Sequence, residues 1–251
     1  RLALALLAVP AGAVSLAGGS LQTEGDACAC LNWRDAYKTG LASCGDGHEF
    51  YVGEHMGLAK WLQKLALKGE FCDNFYTRLD ETACVNLVHD NRPGEWYSGS
   101  WCYVSDECAS ASRANGTAKA KVKLCTEGVD RTFRGMSPAE LFKFSRERDF
   151  DVGLLVKMAY PVEKTAKWPV VSEYFRNPGP LALQAVPSEA ATVLTDLQAK
   201  SKPVVLDSKD GHPPFAVMQG SRVDLIELDM AHMQKEHPSS ITKFHCTSGC
   251  A

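Results

Sequence analysis

No two cysteines in this chain of 251 residues are separated by two residues. That spacing is the strongest sequence signal for structural zinc or a redox dithiol, so neither a zinc ribbon nor a thioredoxin-like site is indicated. The close spacings are instead Cys28/Cys30, Cys102/Cys108 and Cys246/Cys250. A phosphate loop, a dinucleotide fingerprint, a nucleophile elbow and paired calcium-loop carboxylates are also missing, which removes the common motif-borne chemistries. Neither sign of charge dominates: 27 basic residues stand against 30 acidic ones, for a net charge of -3. Interspersed as they are, they build no basic face, and nucleic-acid binding is not expected. The only basic run, Lys119, Lys121 and Lys123, reads as the solvated face of a strand. Cysteine itself is absent from Thr126 to Lys243.

What is present is a total of ten cysteines, eight of them between Cys28 and Cys125. An even count, crowded into a stretch rich in glycine and aromatics, describes a loop-rich module stapled by disulfides in an oxidising compartment. The disulfide candidates are Cys28, Cys30, Cys44, Cys72, Cys84, Cys102, Cys108, Cys125, Cys246 and Cys250. Cys28 and Cys30 are too close to bond comfortably with each other, so each is expected to reach a different partner. Cys246 and Cys250 suit either a small terminal loop or a tether back to the first module.

Ahead of the cysteines, residues 2 to 19 are almost wholly apolar, with Arg1 before them and Ser20, Gln22, Thr23, Glu24 and Asp26 after. As a helix, about 18 residues reach about 27 Å, just short of a hydrocarbon core, and Pro10 interrupts the ladder. A short apolar run ending near Ala11, Gly12 and Ala13 also describes an export signal. A retained membrane anchor is expected, carried by Leu2, Leu4, Leu6, Leu7, Val9, Val14 and Leu16 and supported by neighbouring membrane helices. The expected organisation is therefore an anchor at 1–22, a disulfide-rich module at 23–126 and an α+β module at 127–251 with its own cysteine pair. The fold class is α+β, with helices followed by a small antiparallel sheet after the stapled module.

Local patterns place the elements. Met56, Leu58, Ala59, Leu62, Leu65 and Ala66 recur at helical intervals between His55 and Lys68, and Phe71 to Leu79 continues as a short helix. Val85 to His89 and Gly99 to Val104 read as strands. Ser137 caps a helix, with Pro138 at its first position and Glu140 completing a capping box. Further helices are expected over Val152 to Tyr160, stopped by Pro161, and over Glu189 to Lys200, ending before Pro203. Val204 to Leu206, Phe215 to Met218 and Arg222 to Leu228 read as strands, the last two joined as a hairpin through Gln219, Gly220 and Ser221.

Few residues suggest chemistry. His48, Glu49, Glu54 and His55 would share a face if helical, but Gly47 and Gly53 argue for loop, and these side chains are expected at the surface. His232, His237 and His245 form a second loose group without a metalloprotease motif, again expected at the surface. Asp210, Gly211 and His212 before a hairpin have some flavour of a cysteine-peptidase histidine, but a thiol held in a disulfide is no nucleophile. In the run from Gly99 to Cys108, Trp101 and Tyr103 alternate with Cys102 and Val104, a core-building device rather than a stacking platform with Trp96 and Tyr97. Asn115-Gly116-Thr117 is a usable glycosylation acceptor.

Taken in order, Cys28-Ala-Cys30-Leu-Asn-Trp33, Cys44-Gly-Asp-Gly, Cys84-Val-Asn, Gly99-Ser-Trp-Cys-Tyr-Val-Ser with Cys108, Lys202-Pro-Val-Val-Leu-Asp207, Gly211-His-Pro-Pro-Phe215 and Cys246-Thr-Ser-Gly-Cys250 resemble a cysteine-rich protein family of dinoflagellate algae. The resemblance covers most of residues 28 to 250. It implies a plastid thylakoid protein on the lumenal side, accessory to photosystem I and its peridinin–chlorophyll antenna. It carries no catalytic or metal residues and no intrinsic cofactor, only contact with chlorophyll or carotenoid of neighbouring subunits. Two other readings stand beside it: a secreted or cell-surface binding module, and a lumenal cysteine-based enzyme.

Overall fold

The structure, a computed structural model, describes residues 27–51, 57, 59–87, 99–116, 118–179, 182–230 and 241–250. The expected anchor, Leu2 to Leu16, lies outside the described residues. Among those that are described, no helix is long and apolar enough to cross a membrane. The fold is mixed helix and sheet with disulfide-rich loops, in keeping with the α+β reading.

The cysteine-rich half is built around a four-stranded antiparallel sheet in the order β1-β2-β4-β3. Its strands are β1 (Val85–Asn86), β2 (Ser100–Val104), β3 (Ser112–Arg113) and β4 (Lys121–Leu124). Every residue of β2 is buried. Trp101 and Tyr103 pack on Trp33 of helix α1 (Trp33–Lys38), with centroids 4.8 and 5.6 Å away, and Tyr76 closes the cluster 5.1 Å from Trp33. Asn32 caps α1 by accepting the Asp35 N–H, and the indole N–H of Trp33 donates to the Ala83 carbonyl at 2.8 Å. A short helix with no obvious apolar period is thus held by a ring cluster rather than by its own propensity.

Four disulfides close around this core, Cys28–Cys108, Cys30–Cys102, Cys44–Cys72 and Cys84–Cys125, and a fifth, Cys246–Cys250, lies apart at the C-terminal end. Cys28 and Cys30 do take separate partners, and the last pair makes a terminal loop rather than a tether. The Lys119-to-Lys123 run departs from expectation. Lys121 donates its ammonium to the Cys108 carbonyl, and Lys123 donates to the Cys28 carbonyl and to Asp130. Two of the three lysines therefore brace the loops that carry the Cys28–Cys108 bridge instead of simply facing water. Burial pushes the Asp130 carboxyl up, but the Lys123 ammonium and the Thr126 N–H outweigh it and hold it below the usual range.

Helix α2 (Lys60–Leu67) falls inside the expected span, but Leu65 and Ala66 of the expected apolar stripe are exposed and Met56 and Leu58 lie outside the described residues; the chain then runs on into a π turn (Lys68–Asp73) and a 3-10 turn (Tyr76–Arg78) instead of a second α-helix. Cys72 sits in the π turn, buried, where its bridge to Cys44 sets the chain path.

Beyond residue 127, the Ser137 capping box forms as expected and starts α3 (Pro138–Arg148). Helix α4 (Val152–Ala159) is buried at every position, as an all-round apolar run predicts. It lies between the cysteine-rich half and a second sheet, whose strands run in the order β5 (Val162–Glu163), β6 (Val204–Leu206), β7 (Phe215–Gln219), β8 (Arg222–Leu228) and β9 (Thr242–Ser248). The predicted hairpin joins β7 (Phe215–Gln219) to β8 (Arg222–Leu228), with Gly220 at a φ of +58° in the first loop position, as a type II′ turn needs. The sheet is not purely antiparallel. Residues Val162 and Glu163 form β5, which pairs parallel with β6 (Val204–Leu206). The connection between them contains α5 (Trp168–Arg176) and α6 (Ser188–Lys200), the long crossover a parallel pair requires. No element was expected over α5, although its buried residues Trp168, Val171 and Phe175 have helical spacing.

Strand alternation sorts the core. Val205, Phe215, Val217 and Ile226 face α4 and join one apolar cluster with the aromatic residues of the cysteine-rich half. Val204, Leu206, Ala216, Met218, Val223 and Leu225 face the other way, onto Trp168, Val171 and Phe175 of α5 and Ala190 and Leu194 of α6. The core around α4 thus runs without a break across residue 127.

Candidate functional site

A cleft of about 470 Å³ opens where the π turn, the start of α4, the loop between β6 and β7 and the ends of β8 and β9 (Thr242–Ser248) meet. Its inner end is governed by Lys157, the only charged residue of α4. The Lys157 ammonium lies 2.8 Å from Asp207 Oδ1, with only 8% and 3% of the two side chains exposed. It also donates to the Gly211 carbonyl and stands 4.6 Å from the centroid of the Phe215 ring. An ammonium has three protons; here they meet a carboxylate, a carbonyl and a π face, so the charge is consumed inside the protein. Lys157 clasps the 207–215 loop to the central helix.

That loop is shaped by its own hydrogen bonds. Gly211, at a φ of +90°, donates its N–H to Ser208 Oγ at 2.9 Å while its carbonyl meets Lys157. Asp210 accepts the His212 N–H at 3.2 Å, which helps to hold the Asp210 carboxyl below its ordinary range. His212 is exposed, and the following peptide, Pro213–Pro214, is cis.

On the opposite wall, Asp151 caps α4. Its carboxylate accepts the Leu154 N–H at 2.7 Å and the Thr242 hydroxyl at 2.7 Å, and Thr242 Oγ1 in turn accepts the Gly153 N–H at 3.2 Å. Desolvation nevertheless raises the Asp151 carboxyl above the usual value, with those hydrogen bonds opposing the shift. Glu70, an exposed residue of the cleft lining, is also raised. Partial desolvation by the surrounding protein is the main cause; His212 and Lys157 oppose the shift and Asp151 adds to it. With Phe71, Leu154, Phe215, Leu228 and Ile241 as apolar wall, the cleft suits a small ligand with an apolar body and a hydroxyl or amine that donates to the carboxyls.

A second concentration of ionisable groups is sealed in the cysteine-rich core. Glu49 is 1% exposed. One carboxyl oxygen accepts from the hydroxyls of Tyr37 and Tyr103, each at 2.7 Å, and the other accepts the Gly47 N–H at 2.9 Å. Burial raises the Glu49 carboxyl despite these donors and pushes both phenols well up as well. This corrects the expectation of a surface loop residue: the ring cluster of β2 and α1 folds over the 44–50 loop and takes Glu49 inside. A third recess gathers Arg34, Arg78 and Arg148, but Asp80 and Asp149 already pair with them.

The other residues singled out from the sequence scatter. Glu54, His55, Trp96, Tyr97, His232 and His237 lie outside the described residues. His245 is exposed, 3.7 Å from Glu227. Trp101 is fully buried, and Asn115 is exposed. All ten cysteines are in disulfides and none is free. Sequence reading missed Glu70, Asp151, Lys157 and Asp207. The available signal was Lys157 itself, a lone charge within an eight-residue apolar helix behind an Asp cap.

These features define a disulfide-stapled α+β protein with a partly acidic cleft beside its central helix. Comparison with protein-family models, with curated proteins and with solved structures finds no match to this chain.

Proposed function

We propose that this protein is a non-catalytic accessory subunit on the lumenal side of the thylakoid membrane of a plastid, stabilising the association of photosystem I with its peridinin–chlorophyll antenna. The closed set of five disulfides supports an oxidising compartment. The resemblance to the dinoflagellate cysteine-rich family supplies the particular compartment and partners. The observation that carries the docking role is on α2, where Trp61 and Leu65, one turn apart, are 70% and 74% exposed. Two large apolar side chains on one helix face are a costly surface unless a neighbour covers them. Photosystem I core and antenna subunits are that neighbour in this reading, with their chlorophyll or carotenoid within contact. Gentle solubilisation of native membranes, separation of complexes by size and mass spectrometry test it. Co-migration with chlorophyll-bearing photosystem I is expected; migration as a free, pigment-less protein overturns it.

The cleft favours a second reading, a secreted or cell-surface binding module, for which exposed Asn115 is a glycosylation acceptor. A glycan on Asn115 of the native protein supports this second reading and excludes the first. A cysteine-based enzyme requires a thiol, and every cysteine would first have to be released from its bridge.

A further inference from the structure

Two of the five disulfides lie against each other. Cys30 Sγ of the Cys30–Cys102 bridge is 3.4 Å from Cys84 Sγ of the Cys84–Cys125 bridge. All four sulfurs fall within 4.8 Å of one another, the only such gathering of metal-ligand side chains among the described residues. Sequence spacing gave no hint of it, because the four come from separate segments.

The backbone that carries the four sulfurs is held independently of the S–S bonds. Cys84 donates its N–H to the Arg131 carbonyl at 2.8 Å and accepts the Phe133 N–H at 3.2 Å. Cys125 donates to the Ser100 carbonyl at 2.8 Å, and Cys102 sits inside β2 in register with Lys123 of β4. Next to Cys30, the Leu31 N–H is held by the Tyr103 carbonyl at 2.8 Å. Opening both bridges therefore leaves four thiols converging on one point. A tetrahedral zinc thiolate has Zn–S distances near 2.3 Å, which sets its sulfurs about 3.8 Å apart, inside the span these sulfurs already occupy.

We propose that Cys30, Cys84, Cys102 and Cys125 have a second, reduced state in which they bind a divalent, borderline-soft cation of the zinc type as a tetrathiolate. Two molecules of a dithiol reductant supply the change. Each protein S–S bond takes two electrons and two protons and becomes two thiols, while each dithiol closes to its own disulfide. The cation then displaces four protons and forms four metal–sulfur bonds, giving a centre of net charge -2. Cys30 and Cys125 are half-buried, and Cys125 borders an open recess, so a reductant reaches one sulfur of each bridge while Cys84 and Cys102 stay covered. The site exchanges a redox-closed core for a metal-closed one, and it does not depend on which partner the protein docks with.

The test uses the purified full chain, reduced stepwise by a phosphine without oxygen, with Co²⁺ as the probe. The expected result is one tetrahedral cobalt–thiolate spectrum per chain, displaced by Zn²⁺. Alkylation of the metal-loaded protein, read by mass spectrometry, should spare Cys30, Cys84, Cys102 and Cys125 and label the other reduced cysteines. Cys84→Ser should lose the four-sulfur spectrum and Cys250→Ser should keep it. Absence of the spectrum in the wild-type chain, or protection of any other cysteine set, overturns the proposal, and the wild-type footprint decides the matter should Cys84→Ser fail to fold.

Discussion

The ammonium of Lys157 and the carboxylate of Asp207 meet at 2.8 Å with both side chains buried, and together they fix the loop that floors the cleft. Removing one partner strands the other charge. Lys157→Met is expected to destabilise the protein by about 3–5 kcal/mol, whereas Lys157→Met combined with Asp207→Leu should cost less than the sum of the single changes. Urea unfolding midpoints for the two single variants and the double variant measure this; additive costs would show that the pair is not coupled.

Glu49 bears on the pH dependence of stability. Its folded-state carboxyl is raised, so between the unfolded value, about 4.3, and the folded value the native state holds the proton more tightly than the unfolded chain. Stability contributed by this group is present at low pH and is lost as pH rises through that window. The advantage of wild type over Glu49→Gln should therefore shrink as pH increases above about 4.3. Denaturation curves of both proteins across that range check the sign. A widening advantage would mean that the three donors favour the carboxylate more than burial disfavours it.

Gly47 is tied to the same cluster by space. A Cβ at this position would stand 2.7 Å from two carbons of the Trp101 ring and 2.7 Å from the Tyr103 hydroxyl. Neither ring has room to retreat, since both are fully buried. Gly47→Ala is expected to cost about 1–3 kcal/mol and to weaken the Tyr103–Glu49 hydrogen bond. Thermal unfolding, together with the near-ultraviolet circular dichroism of the ring cluster, provides the measurement.

Trp61→Ser with Leu65→Ser separates docking from folding. Both side chains are exposed, so stability should stay within about 0.5 kcal/mol of wild type. If the proposed docking role holds, the double variant should no longer co-migrate with photosystem I. An unaltered migration pattern would show that this helix face does not carry the contact.

The parts of the fold legible in the sequence are those specified by neighbours in the chain. The Ser137–Glu140 capping box, the apolar run of α4, the Gly220 hairpin and the assignment of the cysteines to disulfides each rest on spacing within a few residues, where backbone geometry leaves few choices. The site was far less legible. Lys157 and Asp207 are fifty residues apart in sequence, and Asp151 reaches Thr242 across ninety-one. Glu49 looks like an ordinary loop carboxylate until Tyr37 and Tyr103 close over it.

By itself, then, the sequence determined that this chain is stapled by disulfides, mixes helix with sheet and carries no familiar catalytic motif. Tertiary structure alone decided which sulfurs meet, that β5 joins its sheet in parallel, that one lysine is spent inside the central helix and that a glutamate lies under tyrosines. The physical reason is the same throughout. Local propensity and period act through the backbone over a turn or a strand, whereas burial and ion pairing depend on surfaces that exist only after distant segments have packed.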